Sequence, residues 1–311
     1  MLKISIIIPY HNEKEEVIKP LLESIDTQKN IDFNEIEIFV VNNCDEPIEP
    51  KCLSDNTFKN IQPKLQYILS ETKNLSGMSR QCGIDHSTGK YIMFCDDDDI
   101  LYDDLVLFDL LEAVDKHTED ILRFEELVEN VRSDGTIFAK KVLDKYTLIH
   151  GKLYKTDYIK NNNITFSNFL SVAEDNYFNL HTEVFPYTHS EINRIIYVFK
   201  HNPNSVSRTS IREFIRKCMV SRCFAVKYLA MKYYGKLPDC CFKHFILDLA
   251  DVYSGAVNSQ FDFEKFLALK TCCNLFYMYN IPWKQYIENN KNETPISNFI
   301  MTAFENVKGE K

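Results

Sequence analysis

After Lys3 the chain begins with a β-branched run to Ile8, broken only by Ser5. That is the pattern of a strand buried on both faces, and Pro9 closes it. Val17, Ile18, Leu21, Leu22 and Ile25 then recur on one stripe, which predicts a helix. Two more apolar runs, Ile36 to Val41 and Leu65 to Leu69, predict strands, with Pro47 and Pro50 marking the loop after the first. A helix over Ser79 to His86 and a strand over Tyr91 to Cys95 follow. Strand, helix, strand, strand, helix, strand is the rhythm of an α/β protein with a doubly wound, mainly parallel sheet flanked by helices. Such sheets bind ligands at the carboxyl ends of their strands.

After Asp115 the pattern loosens. Ile121 to Val131, Thr136 to Phe138 and Tyr146 to Leu148 predict irregular strands, Lys155 to Lys160 a helix, and Arg194 to Lys200 another strand. Ala-Glu-Asp-Asn-Tyr-Phe, from Ala173 to Phe178, heads a further helix. From about Ser210 the chain reads as helices, broken at Gly235, Pro238 and Pro282. We place a boundary near residue 209, giving an α/β domain over 1–209 and a helical region over 210–311.

Chemistry concentrates where the strand at Tyr91 to Cys95 runs into Asp96, Asp97, Asp98 and Asp99. Solvated acidic runs usually sit in polar, low-complexity surroundings, and this one follows an apolar strand and precedes Ile100, Leu101, Leu105, Val106 and Leu110, spaced like a helix start. Four carboxylates at a strand end call for a cation, and oxygen-only ligands favour Mg²⁺, Mn²⁺ or Ca²⁺ over zinc.

Composition narrows the setting. No apolar run approaches the roughly 20 residues of a membrane span, and no secretory signal precedes the first strand. The ten cysteines form no C-x-x-C pair; together these point to a reducing, cytoplasmic setting. The net charge of −9 argues against a nucleic-acid partner. That charge is uneven: eight Lys/Arg stand against Glu213 alone between Arg208 and Lys236. The segment is either a solvated helix face or a patch for peripheral contact with an anionic membrane at its inner face.

Three spaced elements coincide: the Pro9, Tyr10, His11, Asn12, Glu13 turn, the aspartate run, and Glu174 with Asp175. With Gly77, Ser79, Arg80, Gln81, Gly83 and Ile84 between them, and the closing loop His201 to Arg208, the chain over residues 2 to 209 resembles the family 2 glycosyltransferases of the GT-A fold. Each motif alone is weak, and their shared order carries the resemblance. It implies a metal-dependent, inverting transfer from a nucleotide-sugar donor, a UDP-sugar by preference, to the hydroxyl of a surface polysaccharide or lipid-linked glycan. In that reading Pro9, Tyr10, Asn12, Glu13, Asn42, Asn43 and Arg80 hold the donor, together with Asp96 at its ribose; Asp97 joins them without a role of its own. Asp98 and His201 ligate Mn²⁺ or Mg²⁺, and Asp175 is the base that takes the acceptor proton. Asp175 also suits a helix N-cap, and Arg80 a surface position. The chain departs from the family at Asn42 and Asn43, where an acid usually meets the donor base, so base identity stays open. A modified nucleobase or a protein side chain as acceptor, a nucleotidyltransferase, and a non-catalytic nucleotide-sugar-binding module are the competing readings. The sugar, the linkage and the oligomeric state are not legible.

Overall fold

The computed structural model describes residues 1–12, 14–132, 134–144, 147–202, 212–290 and 292–307. Two compact units form, Met1–Phe178 with Tyr187–Arg208, and Asn179–Pro186 with Thr209–Lys311.

In the first unit the opening run becomes β1 (Ile4–Tyr10), and the next apolar runs become β2 (Ile36–Asn42), β3 (Leu65–Leu69) and β4 (Tyr91–Phe94). These four pair in parallel in the order β3, β2, β1, β4. Parallel pairing needs crossovers, supplied by α1 (Glu15–Asp26) and α2 (Ser76–His86). Helix α1 buries Ile18, Leu21, Leu22 and Ile25, four of the five residues of the predicted stripe. Fully burying side chains of this kind stabilises by about 1.5–3 kcal/mol each.

The sheet continues through β8 (Lys152–Lys155), β6 (Ile121–Val131), β9 (His189–Phe199) and β5 (Ile100–Leu101), with β7 (Ile137–Val142) also paired to β6. β8 runs antiparallel to both β4 and β6, and β9 parallel to β6. The sheet is therefore mixed, with β1, β2, β3, β4, β6 and β9 sharing one direction.

Two expectations are corrected here. Ile100 and Leu101 do not start a helix: they pair antiparallel with Val198 and Tyr197 as β5, and the helix, α3, begins at Val106 and runs to Lys116. Strand pairing 98 residues away overrides a locally helical spacing, which no local pattern encodes. The strand expected over Tyr146 to Leu148 falls instead on β8; Leu148 lies in the preceding loop and Tyr146 outside the described residues. Helix α4 (Thr156–Asn161) and helix α5 (Glu174–Glu183) follow.

The second unit contains α6 (Arg212–Lys232), α7 (Asp239–Asn258), α8 (Asp262–Met278), α9 (Trp283–Asn289) and α10 (Thr294–Asn306). Leu229, Phe245, Leu249, Phe276 and Ile300 are buried in it. Arg222 of α6 bonds Asp248 at 2.6 Å and Asp251 at 2.8 Å, and Arg216 bonds Glu264 at 2.7 Å. No described helix is long and apolar enough to cross a membrane. All ten cysteines are free thiols, most of them buried.

Candidate active site

The site lies at the carboxyl ends of β1, β2 and β4. Helix α2 comes close to β1 because Gly83 has no side chain: a Cβ there would sit 2.4 Å from Ile7 Cγ2. At Gly77 a Cβ would meet Glu174 and Phe166 at 3.2 Å. Between these two close approaches stands Arg80, only 4% exposed.

Arg80 gathers three carboxylates from two distant segments. Its Nη2 donates to Asp96 Oδ1 at 2.6 Å, and its Nη1 lies 3.1 Å from Glu174 Oε1 and 3.2 Å from Asp175 Oδ1. Glu174 also accepts a bond from Ser76 Oγ at 2.7 Å, so it braces the start of α5 against the start of α2. Burial alone would raise Asp96, but the adjacent guanidinium outweighs it and holds that carboxyl below its ordinary value. At Asp175 burial wins: its carboxyl is pushed up to about 7, against the pull of Arg80 and with help from Glu174. Two carboxyls on one arginine thus titrate apart, the usual signature of divided acid and base roles. The residue before this pair, Ala173, holds a left-handed backbone at φ 58°, strain that a non-glycine residue tolerates only where the surroundings enforce it.

The aspartate run divides. Asp99 is fully buried: it accepts Tyr197 Oη–H at 2.7 Å and the Lys200 N–H at 2.8 Å. Burial, reinforced by Asp96, pushes its carboxyl well above the ordinary value. Tyr197 Oη also accepts the Asp96 N–H at 2.8 Å, and His150 stacks on the Tyr197 ring at 4.7 Å. His150 is bonded to Glu126; burial would lower its pKa, but Glu126 outweighs that and raises it to about 9. Asp96, Asp99 and His150 each offer an atom within 4.8 Å of the others. Both Asp99 oxygens and the His150 Nδ1 already have protein partners, so this group reads as a structural knot beneath the run. Asp98, in contrast, is partly exposed and accepts Asn202 Nδ2 at 2.8 Å. The neighbouring His201 donates its backbone N–H to Glu129 at 2.8 Å, while its Nδ1 is buried with no hydrogen-bond partner among the described residues. Asp97 is partly exposed beside them.

At the β1 and β2 ends, Asn12 turns the chain in the left-handed region at φ 56°. Its Oδ1 accepts Asn42 Nδ2 at 2.7 Å and the Ile48 N–H at 2.8 Å, and its Nδ2 donates to the Glu46 carbonyl at 2.7 Å. Asn42 is wholly buried; it also donates to Tyr67 Oη at 2.9 Å and accepts the Cys44 N–H at 2.8 Å. An aspartate could not make the two donated bonds, which gives the departure at this position a structural reason. Asn43 Oδ1 meets His11 Nδ1 at 2.9 Å, and Cys44 Sγ lies 3.1 Å from the same nitrogen. Pro9 is partly buried, Tyr10 sits in the core, and Glu13 lies outside the described residues, as does most of the loop from His201 to Arg208. Sequence reasoning gave no role to Glu126, His150 or Tyr197 and met Asn202 only as part of the closing loop. Glu126 and Tyr197 lie on strands that read as core, and His150 in the loop before β8.

The sequence profile described as "Glycosyl transferase family 2" matches residues 5–170, more than half of the chain. Over 197 residues the chain is 27% identical to the poly(ribitol-phosphate) beta-N-acetylglucosaminyltransferase TarS of Staphylococcus aureus, covering 58% of this chain and 32% of that protein. Over 229 residues it is 25% identical to glycosyltransferase GlyA of Streptococcus pneumoniae, covering 66% and 32%. The chain thus spans about a third of the length of these curated relatives. Among solved structures, S. aureus TarS 1-349 in complex with UDP-GlcNAc superposes with a TM-score of 0.64 at 18% identity, over 100% of this chain and 93% of that one. The mannosyltransferase PcManGT from Pyrobaculum calidifontis, in complex with GDP-Man and Mn²⁺, does so at 0.53 and 12%, over 99% and 88%. At these identities the structural matches establish the fold, a mixed sheet of GT-A type followed by helices. Sheet, motif order and sequence profile agree: the chain belongs to glycosyl transferase family 2.

Proposed function

We propose that the chain is a metal-dependent inverting glycosyltransferase, taking a sugar from a UDP-sugar to a hydroxyl of a cell-surface or lipid-linked glycan. The observation that carries this reading is the buried Arg80 bridging Asp96 to Asp175. It ties a strand-end carboxylate on the donor side to a carboxyl that titrates near neutrality, as a general base should. Asp175 takes the acceptor proton, the acceptor oxygen bonds to the anomeric carbon, and the bond from that carbon to the diphosphate breaks. With one base and no carboxylate assigned as nucleophile, this single displacement inverts the anomeric centre.

Asp98 and His201 would hold the cation. His201 Nδ1, buried with no hydrogen-bond partner among the described residues, and the partly exposed Asp98 carboxylate would together suit an ion that accepts mixed oxygen and nitrogen ligands, with Mn²⁺ preferred over Mg²⁺. When bound, such an ion supplies positive charge against the leaving diphosphate. Pro9, Tyr10, Asn12, Glu13, Asn43 and Asp97 belong to the donor end, with Asn42 as the residue that shapes it. Residues 1–209 form the catalytic domain and 210–311 the region that meets the acceptor. The relatives' printed names, one a polymer β-N-acetylglucosaminyltransferase, and the UDP-GlcNAc complex support the donor class.

Donor hydrolysis and transfer measured with Mn²⁺, Mg²⁺ or chelator, in the intact chain, Asp98→Ala and Asp175→Asn, test the assignment. Loss of transfer in both variants, and a product anomer opposite to the donor's, are expected. Equal turnover in all three would sink it, and nucleotide binding without any product would favour the non-catalytic module.

A further inference from the structure

Helix α5 is polar and yet buried along almost its whole length. Asn176, Asn179, His181, Thr182 and Glu183 are each 5% exposed or less, beside the buried Tyr177, Phe178 and Leu180. Polar side chains hidden from water need protein partners. The helix also belongs to both compact units: Glu174 to Phe178 fall in the first, and Asn179 to Glu183 in the second.

Each end is fixed by its own contacts. At the start, Glu174 accepts the Ser76 hydroxyl at 2.7 Å, and Arg80 Nη1 lies 3.1 Å from Glu174 and 3.2 Å from Asp175. At the other end, inside the second unit, the wholly buried His181 has its Nε2 2.7 Å from the Oη of Tyr233, just past α6. The Phe185 ring packs edge-on against Tyr233, with centroids 5.3 Å apart. Glu183 Oε2 lies 2.8 Å from His244 Nδ1 on α7. Asp175 and His181 are six positions apart, about 9 Å along a helix that rises about 1.5 Å per residue. Over so short a span a helix moves as one body, and a slip at His181 becomes a slip at Asp175. A general base has to stand within hydrogen-bond reach of the proton it takes, and a misplacement of about 1 Å can cost about 100-fold in rate. The left-handed backbone at Ala173 points the same way, since such strain persists only where the surroundings fix it.

We propose that His181 and Tyr233 are positioning residues for Asp175, holding its carboxyl in register with Arg80 through the length of α5, with Glu183 and His244 as a second clamp. The consequence for catalysis rests on the reaction proposed above, whereas the mechanical coupling does not, so each has its own readout. Tyr233→Phe removes one hydroxyl and keeps the ring. The control is Tyr279→Phe, which removes a hydroxyl bonded to the Ala230 carbonyl at 2.7 Å in the same unit. Hydrogen–deuterium exchange of the intact chain and both variants reads the coupling. Losing the Tyr233 bond should speed exchange about 3- to 10-fold across α5 as one unit, Asp175 to Phe178 included, and the control should leave α5 unchanged. Glu183→Gln, a milder change at the second clamp, should act in the same direction and by less. Hydrolysis of UDP-GlcNAc with Mn²⁺ reads the positioning: in Tyr233→Phe kcat should fall about 10- to 100-fold at an unchanged donor KM. UDP-binding stoichiometry should stay that of the intact chain, which a loss of folded protein would not allow. Acceleration confined to Asn179–Glu183, or equal acceleration by Tyr279→Phe, overturns the coupling. An undiminished kcat in a Tyr233→Phe chain whose α5 exchanges faster overturns the positioning role. An intact chain without any turnover would sink the reaction instead, and exchange would still decide the coupling.

Discussion

Replacing Asp175 with asparagine should stabilise the protein while removing its chemistry. Burial raises this carboxyl from its ordinary 3.8 to about 7, so the folded state holds the proton more tightly than the unfolded chain. Between those two values the unfolded chain has lost the proton and the folded chain keeps it. Stability therefore falls as pH rises through the window and levels off above about 7. Three pH units correspond to about 4 kcal/mol. Because a quarter of the side chain is reached by solvent, and because the group shares Arg80 with two other acids, we expect about 1–3 kcal/mol to be realised. Asparagine has no charge to bury, so its advantage over the parent should be absent near pH 4 and complete near pH 7.5. At about 2–4 °C per kcal/mol, that is a gap of about 2–12 °C in melting temperature at the higher pH. Calorimetric scans of both proteins from pH 4 to 8 measure it. A gap of constant size across that range, or an asparagine variant less stable at pH 7.5, would refute the reasoning. Turnover should fall about 10²–10⁴-fold in the same variant, and in the parent it should rise as pH passes about 7.

Other perturbations probe the supports. Ala173→Gly relieves the left-handed backbone ahead of Glu174 and should raise stability by about 0.5–1 kcal/mol, read from the denaturant midpoint. Gly83→Ala forces a methyl to within 2.4 Å of Ile7 and should cost about 1–3 kcal/mol, with transfer falling as Arg80 shifts. Asn42→Asp deletes the bond donated to Asn12 Oδ1 and sets two oxygens against each other in a wholly buried position, which should cost about 1–3 kcal/mol in thermal unfolding. Arg222→Met takes the guanidinium away from Asp248, which is 8% exposed, at a cost of about 3–5 kcal/mol, and adding Asp248→Leu should recover most of it.

The parallel half of the sheet was legible because strands buried on both faces are apolar at nearly every position, and β1 and β2 are, with Ser5, Glu37 and Asn42 as the polar exceptions. The antiparallel additions were not. β5 has two residues, and β8 was misplaced because its lysines, one of them the buried Lys152, disguise an inner strand. At the site, Arg80, Asp96 and Asp175 stood out through the order of the motifs and the family resemblance that this order carries. Residue type said nothing of their meeting, since Arg80 and Asp175 lie 95 positions apart and only the close packing of α2 on β1 joins them. Asp99 read only as the trailing acid of the run, and its burial became visible only with Tyr197 and Lys200 beside it. Composition alone could not divide the basic segment: Arg216 and Arg222 answer acids on α8 and α7, 48 and 26 residues later, while Lys217, Lys227 and Lys232 are exposed.

The carboxamide of Asn42 joins Asn12, Tyr67 and Cys44, and through Asn12 it reaches Glu46 and Ile48. None of these loops can open alone without breaking bonds the others share. The amide protons of Cys44 and Ile48 should accordingly exchange with solvent deuterium at one common rate, as a single cooperative unit. A nucleotide arriving at this end would meet a floor already set, and little ordering entropy would be left for it to lose.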